Sequence, residues 1–267
     1  TQNDLLLNQN SKIETQLNLA EASRRSSLIF LMSSVLDRVD QELDEKGDSI
    51  SNGLVGRIAA LSRTLKPYRY YENDTLTSRS VSPERGQLLL SLVNYPIRNS
   101  ILEDIFERAT FQGAELNEAH LQAVSLRNIY LDRGDLRSVN AVGSDFRAAT
   151  LSFADLSDAN LQSANFEQAD LGGSICLSVN FSEANLSRSN FQNAQAWGAT
   201  FWEAESIRAD FRNADLSDAD FTNANLDEAN FANSILERTN FQGASMEDAI
   251  AYEANFKHAD LSNAILR

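Results

Sequence analysis

Few side chains in this sequence are of types that carry acid–base, nucleophilic or metal-binding chemistry. The chain has one cysteine, Cys176, and two histidines, His120 and His258, and neither histidine has a cysteine or another histidine nearby at metal-ligand spacing. Cys176 stands where a small buried hydrophobic residue is expected, which disfavours a nucleophilic role. Paired acids such as Asp215 and Asp218 recur regularly along the chain, and no glycine-rich phosphate loop is present. We therefore expect no enzymatic activity, no metal and no cofactor.

These residues sit in a repeat of five. Counting every fifth residue from Phe106 to Leu266 gives 33 central positions, of which 27 are Leu or Phe. Two residues before them lie 32 positions, of which 22 are Ala, and the residue between is often Asp or Asn. A period of five fits neither an α-helix nor a flat strand, but it suits a chain that turns a corner every five residues and closes a square coil every twenty. The central and the small residue then point inward.

This pattern of Ala, Asp or Asn, and Leu or Phe resembles the pentapeptide-repeat family. The resemblance implies a mainly β fold, in which residues 106–267 form a right-handed parallel quadrilateral β-helix of about eight coils. At a strand spacing of about 4.8 Å the rod is about 38 Å long. Because each residue lies above the one twenty positions earlier, the sequence predicts two columns of core phenylalanines. We expect one face to hold Phe181, Phe201, Phe221 and Phe241, and a neighbouring face to hold Phe191, Phe211 and Phe231.

Five undersized central positions are each followed by a large apolar residue, namely Val142, Leu177, Trp197, Ile207 and Tyr252. Either the backbone adjusts and turns these side chains into the core, or they stay outside as contact points for a partner. The inward interpretation is favoured for Val142 and Ile207. Contiguous exposed apolar surface usually marks a binding site. The candidate partner contacts are therefore Leu177, Trp197, Trp202 and Tyr252.

Residues 1–105 are predicted to form a small all-α domain that covers the first coil or mediates oligomerisation. Apolar residues recur at helical spacing within Lys12–Lys46 and Ser51–Leu65, and Ser82-Pro83 is a strong helix start. The segment Ile97–Ile105 is expected to lead directly into the first coil. The helical segments also resemble those that follow membrane spans in some bacterial pentapeptide-repeat proteins. This resemblance makes a membrane tether upstream of Thr1 an alternative to a plain cap on a cytoplasmic protein.

The charge of the chain limits its function further. The formal net charge is −15, and residues 106–267 hold 24 Asp or Glu against 11 Lys or Arg. Because phosphate contacts need a basic patch, direct nucleic-acid binding is disfavoured. We expect a non-catalytic interaction or scaffold module whose partner is another protein. The family resemblance implies an alternative, a DNA mimic that inhibits or protects a type II topoisomerase such as gyrase, although the charges form no single acidic stripe.

The repeat also predicts self-association. The repeat is still in phase at Leu266, and we expect the last coil to present unpaired backbone groups. Such an edge invites pairing with another chain, most readily about a two-fold axis. We expect a homodimer formed through this end or through the long Lys12–Lys46 helix.

Overall fold

The computed structural model describes residues 2–72, 75–77 and 79–266 of the 267-residue chain. Its amino-terminal part is helical with one short hairpin, and a repeating coil follows. The elements of the first part are α1 (Gln2–Lys46), α2 (Asn52–Thr64), β1 (Tyr71–Glu72), β2 (Thr75–Leu76), α3 (Pro83–Asn94) and α4 (Asn99–Arg108). None of the helices within the described ranges has the combined length and apolar character needed to cross a membrane.

Two helices begin where their capping residues predict. Ser51 Oγ accepts a hydrogen bond from the backbone N–H of Leu54 at 3.3 Å, and Ser82 Oγ accepts one from Arg85 at 3.2 Å. Each bond satisfies one of the free N–H groups at a helix start, and Pro83 stands in the first turn of α3, where no N–H is needed. α1 begins at Gln2, well before the predicted start.

Helix α4 corrects the predicted boundary at residue 106. The sequence predicts that Ile97–Ile105 leads directly into the coil and that Phe106 is the first central residue. Instead, Phe106 lies inside α4 and is buried on one helical face with Leu102 and Ile105. Spacings of three and four residues satisfy a helix, and Phe106 falls in the five-residue phase as well. The coil therefore begins after Arg108.

From there the chain forms a right-handed parallel β-helix. Parallel bridges join residues twenty apart, from Glu115↔Asp135 to Ser245↔Ile265, at the residue before each central position. At most corners the small residue donates its N–H to the carbonyl of the preceding central residue, as Ala219 does to Leu216 at 3.1 Å. The residue just before the small one has a positive φ, for example 57° at Asp218.

The Asp or Asn before a central residue closes the corner. Its side-chain oxygen accepts a hydrogen bond from the backbone N–H two residues later, at 3.1 Å from Ser217 to Asp215 and at 3.0 Å from Gln192 to Asn190. Contacts of this kind stabilise tight turns. The regular acids of the repeat thus have a role in the fold.

The phenylalanine columns lie inside the rod, but on opposite faces. Phe201 stacks on Phe221 with ring centroids 4.4 Å apart, and Phe191 stacks on Phe211 at 5.1 Å. Phe181 meets Phe191 edge-on across the core, at 5.6 Å and 86°. The prediction that the two columns occupy neighbouring faces is therefore wrong, because ten residues span two corners of a four-cornered coil. All seven predicted core phenylalanines are fully buried.

The helical part lies against the first coil through backbone and side-chain contacts. Ser82 donates its N–H to Gly113 O at 2.6 Å and accepts from Glu115 N at 3.2 Å, so this segment pairs with the first coil as a preceding coil would. A Cβ on Gly86 would lie 1.9 Å from Glu115 O, so only glycine allows α3 to approach this closely. The buried guanidinium of Arg85 donates to the carbonyl oxygens of Ser62 and Gln112, and burial lowers its pKa to about 10.

Candidate protein-contact surface

The residues with potential chemistry do not converge on one site. Cys176 is fully buried, burial raises the pKa of its thiol to about 12, and its Sγ lies 3.2 Å from Ser174 Oγ. Asp215 accepts the backbone and hydroxyl hydrogen bonds of Ser217, and Asp218 pairs with Arg238. Across the described part of the chain, no group of three or more His, Cys, Asp or Glu side chains could hold a metal ion.

Three of the five large residues that follow undersized central positions are exposed, and two are half-buried. Leu177, Trp197 and Tyr252 are 37%, 49% and 62% exposed, whereas Val142 and Ile207 are half-buried. Near Trp197, other side chains fill the space that the undersized central residues leave in the core. Ala196 and Ser206 are central residues on opposite faces of one coil. Phe191 and Phe201, from the other two faces, fill the layer with ring centroids 6.1 Å apart. Trp197 is therefore not needed inside.

Trp197 is held in place by a hydrogen bond. Its indole Nε1–H donates to Asp218 Oδ2 at 2.8 Å. Arg238 in turn donates to both oxygens of Asp218, at 2.7 and 2.6 Å, and this contact lowers the pKa of the Asp218 carboxyl. The indole edge is thus fixed while much of the ring stays in solvent, so a partner would meet an ordered aromatic side chain.

Three apolar side chains lie near one another on this part of the rod. Leu177 lies one coil below Trp197, where Ser178 N donates to Trp197 O at 3.0 Å. Trp202 is 36% exposed and stands five residues later, at the next corner. We call Leu177, Trp197 and Trp202 the Trp197 surface. The fourth candidate, Tyr252, is not brought to it, since Tyr252 lies on a different corner and several coils nearer the carboxyl end.

Sequence reasoning missed a further exposed aromatic residue on the rod, Phe153. Phe153 is 56% exposed, and the guanidinium of Arg133 lies 5.4 Å from its ring centroid. A Cβ on Gly173 would lie 2.6 Å from the ring of Phe153, so this glycine, which has a φ of 63°, makes room for it. The sequence did contain a signal for this exposed ring. Phe153 is the second residue after a central one, a position at which the other coils carry mostly polar or small residues.

Many carboxylates of the rod are paired locally. Asp135, Asp145 and Asp210 each bind the arginine two residues later, with N–O distances of 2.6, 2.5 and 2.6 Å. For Asp145 and Asp210 the paired arginine helps to keep the pKa of the carboxyl below its ordinary value, against the opposing effect of burial. The negative charge of these corners is therefore partly neutralised.

Known structures that resemble this chain are described as a quinolone-resistance protein and as pentapeptide repeat proteins. A trypsin-treated variant of QnrB1, a plasmid-mediated fluoroquinolone resistance protein, is 26% identical over 50% of this chain and 70% of its own, with a TM-score of 0.47. A protein of the Arabidopsis thaliana thylakoid lumen is 33% identical over 37% and 65%, with a TM-score of 0.27. HetL, from the cyanobacterium Nostoc, is 22% identical over 59% and 89%, with a TM-score of 0.18. No curated protein sequence matches this chain.

A family model gives the assignment. The model for pentapeptide repeats matches residues 129–168, 142–175, 164–202, 207–243 and 236–267, in eight copies. Together these matches cover just over half of the chain and lie entirely within the coil whose bridges join residues twenty apart. The chain therefore belongs to the pentapeptide repeat family.

Proposed function

We propose that this protein is a non-catalytic interaction module, in which the β-helix is a rigid scaffold and the Trp197 surface is the contact site for another protein. The observation that carries the proposal is the placement of Trp197, which is half exposed and yet fixed by Asp218. Tryptophan is strongly enriched among the residues that dominate binding energy at protein interfaces. A side chain that is already ordered loses less conformational freedom on binding.

The rest of the described rod supports a binding role over a catalytic one. A hollow of about 510 Å³ at the carboxyl end is lined by Met246, Ala249, Ala251, Phe256, Leu261 and Leu266, all of them apolar. An active site of the usual kind brings titratable groups together in a concave pocket. Neither this hollow nor the Trp197 surface does so.

A retention experiment tests the proposal. The purified protein is immobilised and exposed to extract of the cells that produce it, alongside the Trp197→Ala and Phe153→Ala variants. The Phe153→Ala variant is the matched control, since it removes an exposed aromatic side chain from another corner. We expect a protein that is retained by wild type and by Phe153→Ala but not by Trp197→Ala. Identical retention by all three, or equal loss from both variants, contradicts the proposal.

A second candidate function is a DNA mimic that acts on a type II topoisomerase, and the acidity of the rod favours it. Its charge of −13 over about 38 Å is roughly one charge per 3 Å, whereas B-DNA carries one per about 1.7 Å. The rod also resembles the DNA backbone less because many of its carboxylates accept hydrogen bonds at the corners or pair with arginine. We expect no inhibition of gyrase supercoiling at micromolar protein. Inhibition that weakens when Asp215, Asp218 and Asp220 are neutralised would reverse this ranking.

A further inference from the structure

We infer that the segment which docks on the Trp197 surface is basic as well as apolar, with Lys or Arg beside its apolar anchor. This inference rests on the proposed function and specifies the partner's chemistry. It follows from the charges around the surface, which differ from those elsewhere on the rod.

The middle of the rod is the part with the fewest basic residues. Residues 148–207 contain seven Asp or Glu and a single basic residue, Arg188. Arg188 pairs with Glu167 at 3.5 Å, and Asp155 pairs with Arg79 of the helical part at 3.4 Å. Within the described ranges, the other five acids have no Lys or Arg within ion-pair distance.

Unpaired carboxylates flank the Trp197 surface on both of its corners. Glu203 follows Trp202 directly, and Glu183 lies one coil below Glu203. Glu183 accepts hydrogen bonds from Gln162 and Ser163, at 3.1 and 3.0 Å, so neutral donors orient it without cancelling its charge. At the other corner, Asp158 lies two coils below the glycine that follows Trp197. All three acids are exposed.

This combination selects among partners. A phosphate backbone, an anionic lipid or an acidic protein would bring like charges together beside the two indoles, which is unfavourable. A lysine or arginine side chain of the partner would be stabilised by two interactions, electrostatic attraction to the carboxylates and a cation–π contact with the face of an exposed indole. An apolar residue between such basic side chains would cover Leu177 and the rings. The surface therefore fits a basic, apolar protein segment.

The chain carries its own probe for this contact. Its only two tryptophans, Trp197 and Trp202, both belong to the Trp197 surface, so intrinsic tryptophan emission reports on this site alone. We would titrate the full chain with three synthetic peptides of equal length, which alternate lysine with leucine, glutamate with leucine, and lysine with serine. We expect the lysine–leucine peptide to shift the emission to shorter wavelength, and the other two to bind at least tenfold more weakly.

Two charge variants separate the effect of the carboxylates beside the Trp197 surface from the effect of the protein's net charge. The Glu183→Gln/Glu203→Gln variant should bind the lysine–leucine peptide about fivefold more weakly, as expected for two partly screened surface pairs. The Glu247→Gln/Asp248→Asn variant makes the same change in net charge at another corner and should bind like wild type. Added salt should weaken binding to wild type more than to the Glu183→Gln/Glu203→Gln variant.

Three results would overturn the inference. These are equal binding of the glutamate–leucine peptide, an equal loss of affinity in both charge variants, and no change of emission with any peptide. The retention experiment with Trp197→Ala is independent of these results. A retained partner with an acidic contact segment would leave the proposed function intact and refute only the basic character of the segment.

Discussion

Replacing Phe201 with Ala tests how the core of the rod is built. Its ring is fully buried and lies in the middle of the aromatic core. It stacks on Phe221 and Phe181, at 4.4 and 5.2 Å, and it meets Phe191 and Phe211 edge-on, at 6.1 and 5.9 Å. The substitution therefore removes contacts in its own coil and in the coils above and below.

The expected loss of stability lies at the upper end for this kind of substitution. Truncation of a buried phenylalanine costs about 3–5 kcal/mol, and the cost rises with the volume of the cavity left behind. The coil of Phe201 already has two small central residues, Ala196 and Ser206, so Phe191 would be its only large one. Backbone pairing with the coils on either side keeps the chain from moving in to fill the cavity that Phe201→Ala leaves. We expect a loss of about 5 kcal/mol in the free energy of unfolding.

The assay is guanidinium denaturation followed by circular dichroism. The control is Trp202→Ala, which changes the next residue along the chain but removes a side chain that is 36% exposed. We expect this control to lose about 1 kcal/mol or less, as surface substitutions usually do. A loss below about 2 kcal/mol for Phe201→Ala, or equal losses for both variants, would refute the assignment of central residues to the core.

Three further predictions concern the packing of the coil, the stability of the helical part and self-association. Ala219→Leu should overpack the coil that contains Phe221 and cost about 1–3 kcal/mol, and an unchanged thermal melt would contradict this. The pKa of Glu42 is lowered from 4.5 to about 2, chiefly by its hydrogen bond with Lys46 and also by Ser51. Its contribution to stability is therefore full above about pH 4.5 and is lost as the pH falls towards 2, so the difference in melting temperature between wild type and Glu42→Gln should shrink over that window. Light scattering should show self-association of the full chain, and a monomer at high micromolar concentration would contradict the predicted dimer.

Local chemistry made much of the fold predictable. Each central residue and each small residue repeats the same constraint every five positions, so the inward pattern needs no knowledge of distant contacts. Ser51 and Ser82 mark helix starts through bonds to residues three positions away. The error about neighbouring faces was one of counting, since the five-residue period itself places Phe191 two corners from Phe181.

Other features depend on contacts that the pattern does not contain. Whether Trp197 points outward is decided by how Phe191 and Phe201 fill the layer between Ala196 and Ser206. The bond from Trp197 to Asp218 joins residues 21 positions apart and depends on side-chain rotamers. The sequence pattern did not reveal the end of helix α4, because Phe106 fits both the helical and the five-residue spacing.

Acrylamide quenching of tryptophan emission tests the central claim most directly, namely that Trp197 and Trp202 form an exposed surface on a packed rod. The variants Trp202→Phe and Trp197→Phe leave one indole each, so the two residues can be measured separately. We predict that both indoles are readily quenched in the native protein, Trp197 more than Trp202, in line with exposures of 49% and 36%. Quenching as weak as that of a fully buried indole would show that these side chains fill the core, and would remove the proposed contact site.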